Sequence, residues 1–282
     1  MYTIRHDKPV NPVLLEILAT VHAITQELGC DYLLVDATAR DMLMTHVFGL
    51  DTRRATRDVD FAIALENWDQ FQDLKTALIA SGTFIPAADK VHLLLYKPAE
   101  YGNAFPLDLI PFGGIEQETH WIAWPPDMNI VMSVACYTEA LASALDVDTG
   151  NGLVIRVVSI PALAALKLLA WNERGLQDNK DAQYLLFLLQ HYHEAGNGDR
   201  MYEEAYGLLE AAGFDVRLAG ATLLGWDTRV ILHDDTLHVL LAILANPRTR
   251  DRLIVHMTRS TDVDMADKLL NQFELGLRMT AL

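Results

Sequence analysis

Two carboxylates open an alternating run, Asp58-Val59-Asp60-Phe61-Ala62-Ile63-Ala64. Residues i and i+2 of a strand share a face, so Asp58 and Asp60 project together while Val59 turns to the core. Such a pair repels itself unless a cation lies between the oxygens. Hard oxygen ligands of this kind suit Mg²⁺ or Mn²⁺. A third carboxylate, Asp108, sits in Pro106-Leu107-Asp108-Leu109-Ile110. With Leu107 and Leu109 facing the core, Asp108 takes the opposite face. Three acids on adjacent strands form a candidate site for two metal ions, which activate an attacking hydroxyl and stabilise a leaving pyrophosphate.

The tripeptide is weak by itself, because Asp146-Val147-Asp148 and Asp262-Val263-Asp264 repeat it. The first runs into the turn signal Thr149-Gly150-Asn151-Gly152. The second precedes a helical stripe, where Asp262 or Asp264 reads as an N-cap. Asp58 and Asp60 differ in opening a strand, in having Asp108 downstream and in following Arg53, Arg54 and Arg57. These arginines suit a triphosphate or a polynucleotide end; the plainer reading is neutralisation of Asp51, Asp58 and Asp60 in a solvated loop.

The elements that must hold these residues come from a chain of 282 residues with 22 Lys+Arg against 38 Asp+Glu, a net charge of −16. At 51% hydrophobic residues the chain can bury a core, which excludes wholesale disorder. The charge argues against a broad nucleic-acid-coating surface but not against an enzyme whose ions supply positive charge locally. Cys30 and Cys136 are the only cysteines, which excludes a disulfide scaffold and suits a reducing cytoplasm. The N-terminus has no signal-peptide pattern, and no uncharged apolar run reaches about 18 residues, so no membrane span is expected.

Helical and strand periods interleave up to Val158. Helices are expected over Val13–Leu28, ended by Gly29, over Thr38–Phe48 with Thr38 as N-cap and Gly49 beyond, and over Trp68–Ile79. Strands are expected at Tyr32–Val35, Asp58–Ala64, Val91–Tyr96, Leu107–Ile110 and Leu153–Val158. Beyond Ser159, which can cap a helix carrying Pro161 in its first turn, the pattern is helical: Leu163–Arg174, Asp178–Tyr192, Met201–Ala212, Thr236–Ala245 and Met265–Leu277. The expected organisation is an α+β part over 1–158 and an all-helical part over 159–282.

Five segments occur in order: Val35-Asp36-Ala37-Thr38-Ala39-Arg40-Asp41, then Arg54-Ala55-Thr56-Arg57-Asp58-Val59-Asp60, then Leu107-Asp108-Leu109-Ile110-Pro111-Phe112-Gly113, then Lys167-Leu168-Leu169-Ala170-Trp171-Asn172-Glu173-Arg174, then Lys180-Asp181. The set resembles the AbiEii/AbiGii toxin family of the DNA polymerase β-like nucleotidyltransferases, over nearly the whole chain. The resemblance implies a small mixed sheet flanked by helices, a nucleotidyltransferase core, followed by a helical bundle that completes the nucleotide cleft. It implies transfer of a nucleoside monophosphate from an NTP with release of pyrophosphate, two Mg²⁺ or Mn²⁺ ions, a toxin role with a cognate antitoxin, and an RNA acceptor such as the tRNA end. Asp58, Asp60 and Asp108 correspond to the metal ligands. Lys167 corresponds to the helical lysine that meets the triphosphate, and Asp181 to an acidic residue of the next helix. Arg174 and Lys180 are weaker matches. Thr38, Arg40, Arg54 and Arg57 are the remaining candidate phosphate contacts.

One position departs from the family pattern. Asp36 stands where such enzymes place glycine, so that the backbone can approach the phosphates. A carboxylate there repels a triphosphate unless a cation compensates it. Lys167 has a plainer reading as a snorkelling lysine on an apolar helix. The other readings are an enzyme with a small-molecule, aminoglycoside-like acceptor drawn to an acidic cleft, and a degenerate nucleotide-binding protein without turnover. His191-Tyr192-His193 places its imidazoles on different helix faces and reads as a solvated helix end. Trp121 and Trp124 read as loop packing.

Overall fold

The computed structural model describes residues 1–52, 58–88, 90–97, 104–118, 120–258 and 262–282. The chain divides into two compact units, Met1–Val158 and Ser159–Leu282.

In the first unit β1 (Tyr2–Thr3) precedes α1 (Pro12–Glu27), which starts where Asn11 Oδ1 accepts the Val13 N–H at 2.8 Å. Its buried stripe is Val13, Ile17, Leu18 and Val21. β2 (Tyr32–Val35) leads into α2 (Asp36–Asp41), which widens into a π-helical segment, Met42–Val47. Then come β3 (Val59–Ala64), α3 (Trp68–Ala80), β4 (Phe84–Pro86), β5 (Leu93–Tyr96), β6 (Phe105–Phe112), β7 (Trp121–Trp124), β8 (Ile130–Ser133), α4 (Tyr137–Ala142), β9 (Leu145–Asp148) and β10 (Val154–Val157). Eight strands form one mixed sheet in the order β1-β9-β10-β2-β3-β6-β5-β4, while β7 and β8 pair separately. The mixed sheet flanked by helices is thus present, and it is larger than expected.

β3 lies between antiparallel β2 and parallel β6. Phe61 packs on Tyr32, whose hydroxyl meets His22 of α1, and the Tyr96 hydroxyl donates to Glu16 of α1 at 2.6 Å. Val59, Phe61, Leu107 and Leu109 therefore face α1, and Asp60 and Asp108 occupy the opposite face.

Two expectations are corrected here. The second helix starts at Asp36, not with Thr38 as its cap; the Thr38 hydroxyl instead donates to the Asp58 carbonyl oxygen at 2.7 Å. The π-helical stretch, where the Phe48 N–H reaches the Leu43 carbonyl, shifts the helical period that the sequence pattern assumes. Asp146 and Asp148 lie within β9, register partners of Arg156 and Val154, so Asp58/Asp60 is not the sole acid pair at a strand.

The second unit contains α5 (Ile160–Arg174), α6 (Lys180–His191), α7 (Gly198–Tyr202), α8 (Tyr206–Ala211), α9 (Val216–Ile231), α10 (Asp234–Ala245), α11 (Pro247–Met257) and α12 (Val263–Arg278). Ser159 Oγ accepts the Ala162 N–H and caps α5, and Asp262 Oδ1 accepts the Met265 N–H and caps α12. The helix expected over Met201–Ala212 is two short ones, and α9 and α11 are additional. α9 and α12 cross closely enough that a Cβ at Gly225 would lie 2.1 Å from the Phe273 carbonyl, and one at Gly276 2.1 Å from that of Thr222. Only glycine permits that approach.

Candidate functional site

The sheet register supplies the first part of the site. Asp60 pairs with Asp108 across parallel β3 and β6, and with Val35 across β2. Same-face neighbours in adjacent strands have Cβ atoms about 5 Å apart, so the two carboxylates share one patch. Asp58 precedes β3 and is exposed, and Asp36 follows Val35 at the end of the same row. Burial pushes the Asp108 carboxyl above its ordinary value. His92 and Lys90 pull it back, and the charges of Asp58 and Asp36 push it further up. Asp108 Oδ1 is buried and has no hydrogen-bond partner among the described residues. Hard oxygens that repel one another, one of them unsatisfied, are a donor set that fits a divalent cation.

Asp36 adopts φ 54°, the left-handed region that favours glycine. A carboxylate therefore stands on a backbone conformation that favours glycine. Thr38 is buried, and its bond to the Asp58 carbonyl braces the start of β3. Arg40 is also buried and pairs with Asp41 through Nε at 2.8 Å and Nη2 at 2.6 Å. Arg53, Arg54 and Arg57 lie outside the described residues.

Sequence reasoning missed His92. Its Nε2 lies 3.7 Å from Asp108 Oδ1, and its ring packs against Trp124 at 5.2 Å between centroids. Burial lowers the proton affinity of this imidazole, while Asp108 raises it. A lone histidine at the start of a strand candidate carries no spacing signal; only the pairing of β5 with β6, Leu93 opposite Asp108, brings it near. Trp124 is buried among Trp68, Phe71 and His92, as the packing reading expects, whereas Trp121 is exposed.

The helical unit holds the second group of charges. Lys167 on α5 and Asp181 on α6 are both buried. Lys167 Nζ donates to Asp181 Oδ1 at 2.9 Å and sits 4.7 Å from the Tyr184 ring centroid. Arg174 reaches the same carboxylate with Nε at 2.7 Å to Oδ2 and Nη2 at 3.1 Å to Oδ1. Burial alone would raise the Asp181 carboxyl, but the Arg174 and Lys167 bonds and charges hold it below its ordinary value. The structure thus gathers Lys167, Arg174 and Asp181 into one cluster. Lys180 is not part of it and pairs with exposed Asp178 at 3.1 Å. His191 hydrogen-bonds Glu194 at the exposed end of α6.

The family model described as the nucleotidyl transferase AbiEii toxin, type IV TA system, matches residues 42–206, more than half of the chain. No curated protein sequence matches. Among solved structures, the chain is similar to the antibiotic-resistance factor ANT(2'')-Ia in a solution structure, at 13% identity and a TM-score of 0.40, over 72% of this chain and 98% of that one. Among the described residues, no helix is long and apolar enough to cross a membrane.

Proposed function

The chain belongs to the AbiEii nucleotidyl transferase toxin family of type IV toxin–antitoxin systems, and from that premise we propose that it is a cytoplasmic, metal-dependent enzyme that transfers a nucleoside monophosphate from an NTP to the 3′ end of an RNA, with tRNA as the acceptor. The observation that carries this reading is the register pairing of Asp60 with Asp108, whose buried Oδ1 has no hydrogen-bond partner among the described residues. Asp58, Asp60 and Asp108 are the residues assigned to hold Mg²⁺ or Mn²⁺. Such ions, when bound, supply charge neutralisation at the attacking and leaving oxygens.

The chain's own residues do the rest by position and charge. An acceptor hydroxyl oxygen bonds to the α-phosphorus, the bond from that phosphorus to the bridging oxygen breaks, and pyrophosphate leaves. Asp108, whose proton affinity burial raises, is assigned to take the hydroxyl proton. Lys167 and Arg174 are assigned to the triphosphate, with Asp181 holding both side chains in place. Thr38 is assigned to positioning, through the Asp58 carbonyl. Arg40, Arg54 and Arg57 remain candidate phosphate contacts. The family's type IV system supplies the expectation of an antitoxin partner.

The test is incubation with total tRNA, Mg²⁺ and each labelled NTP in turn. Asp60→Ala is expected to cut labelling by about a thousandfold; labelling equal to the parent's would overturn the reading. Pyrophosphate release with aminoglycosides but not RNA would replace the acceptor by a small molecule. A second reading, nucleotide binding without turnover, is favoured by one observation: the Asp36 carboxylate at φ 54° beside Asp108. Mg²⁺-dependent NTP binding with no pyrophosphate release from any acceptor would support it.

A further inference from the structure

Two arginines on α11 contrast sharply. Arg250 is fully engaged, with Glu274 Oε2 and Asn271 Oδ1 each at 2.7 Å and Asp267 at 3.5 Å. Arg252, two residues on, makes no ion pair among the described residues, and its Nε is buried without a hydrogen-bond partner. A buried donor left unsatisfied carries its whole desolvation cost, so the position calls for an acceptor that binds from outside the chain.

Its surroundings say which kind. The Arg252 guanidinium lies over the Trp171 ring, 4.8 Å from the centroid. Trp171 is fully buried and is fixed by its Nε1–H, which donates to His256 Nδ1 at 3.1 Å. Trp171 is four residues after Lys167 and three before Arg174, so the three side chains share one stripe of α5. α6, which carries Asp181, packs against α11. Lys167 and Arg174 occupy both oxygens of Asp181, and Arg252 makes no ion pair with that carboxylate among the described residues. The cation–π contact with Trp171 restrains the guanidinium, whose planar fork of donors suits phosphate oxygens. Arg252 also lies beyond residues 42–206, outside the matched family segment.

We propose that Arg252, lying over the Trp171 ring, is a polyphosphate contact that works with Lys167 and Arg174 to bind the triphosphate of a nucleoside triphosphate. The proposal rests on the reading of the chain as an NTP user, but its geometry is internal to the helical unit.

The test is calorimetric titration of the full chain with inorganic triphosphate at fixed ionic strength, without metal. Arg252→Gln is expected to weaken binding by about tenfold or more, the scale of one charged hydrogen bond. Arg252→Lys, which keeps the charge but lacks the planar fork, is expected to weaken it too, and it serves if the glutamine variant does not fold. Parental affinity in either variant would overturn the proposal. So would unchanged triphosphate binding together with a raised KM for RNA, which would assign the guanidinium to an RNA phosphate. Inorganic triphosphate needs neither acceptor nor metal, so failure here is distinct from failure of nucleotidyl transfer. Arg252-dependent binding without RNA labelling would sink only the latter.

Discussion

Asp108 and Asp181 are the same side chain in opposite circumstances. Burial raises the proton affinity of both. Around Asp181 two cations make three hydrogen bonds to the carboxylate and reverse the effect. Around Asp108 an imidazole at 3.7 Å and the charge of Lys90 oppose the effect, further acids reinforce it, and the effect stands. The sheet unit therefore leaves Asp108 with a buried oxygen that has no hydrogen-bond partner among the described residues, a donor that fits a divalent cation. In the helical unit Lys167 and Arg174 share the Asp181 carboxylate.

The largest test of this contrast is removal of the satisfied acid. Asp181→Ala leaves Lys167 buried without its carboxylate, which is expected to cost about 3–5 kcal/mol in denaturant unfolding of the helical unit. A loss within error would show that the cluster is not held by its charges. The pH dependence has a definite sign. A carboxyl lowered in the folded state contributes stability above its unfolded value, and that contribution is lost as pH falls through the folded value. The parent should therefore lose an acid-side increment of stability, below the ordinary carboxylate range, that Asp181→Ala lacks.

The unsatisfied acid should behave in the reverse sense. A carboxyl raised in the folded state costs stability once pH rises past its ordinary value, and the cost is complete above the folded value. Asp108→Asn is therefore expected to stabilise the metal-free protein at neutral pH by up to about 1 kcal/mol. Adding Mn²⁺ should reverse the ranking, because only the parent gains roughly 2.7 kcal/mol at a hundredfold excess over Kd. If Mn²⁺ raises the melting temperature of both proteins equally, Asp108 is not a ligand.

The smallest effect concerns the carboxylate that works against the scheme. Asp36→Gly relieves a left-handed residue at a cost of about 1 kcal/mol, partly offset by the greater freedom of glycine in the unfolded chain. Stability should change by only a few tenths of a kcal/mol. Mg²⁺-dependent NTP affinity, measured by calorimetry, should rise. Equal affinities would show that Asp36 does not impair the phosphate approach.

Much of the framework was legible because its causes are local. Gly29 ends α1, Ser159 and Asp262 cap α5 and α12, and the alternation around Asp60 and Asp108 marks strands, each within a few residues. The elements that escaped notice have non-local causes. α9 carries two glycines with tertiary causes: Gly225 permits the close crossing with α12, and Gly220 the close approach of His193. β9 hides its acids in a hairpin that is strand only because β1 and β10 flank it.

The sequence by itself determined that Asp60 and Asp108 sit on strands with their apolar neighbours on the other face, because side-chain direction follows from backbone period. It also placed Lys167, Trp171 and Arg174 on one stripe of a helix. Only the tertiary structure decided that Asp60 stands opposite Asp108, that His92 approaches the pair, that Asp181 binds Lys167 and Arg174 together, and that Arg252 lies over Trp171. Strand register and helix crossing are set by packing across the whole core, which no short window of sequence contains.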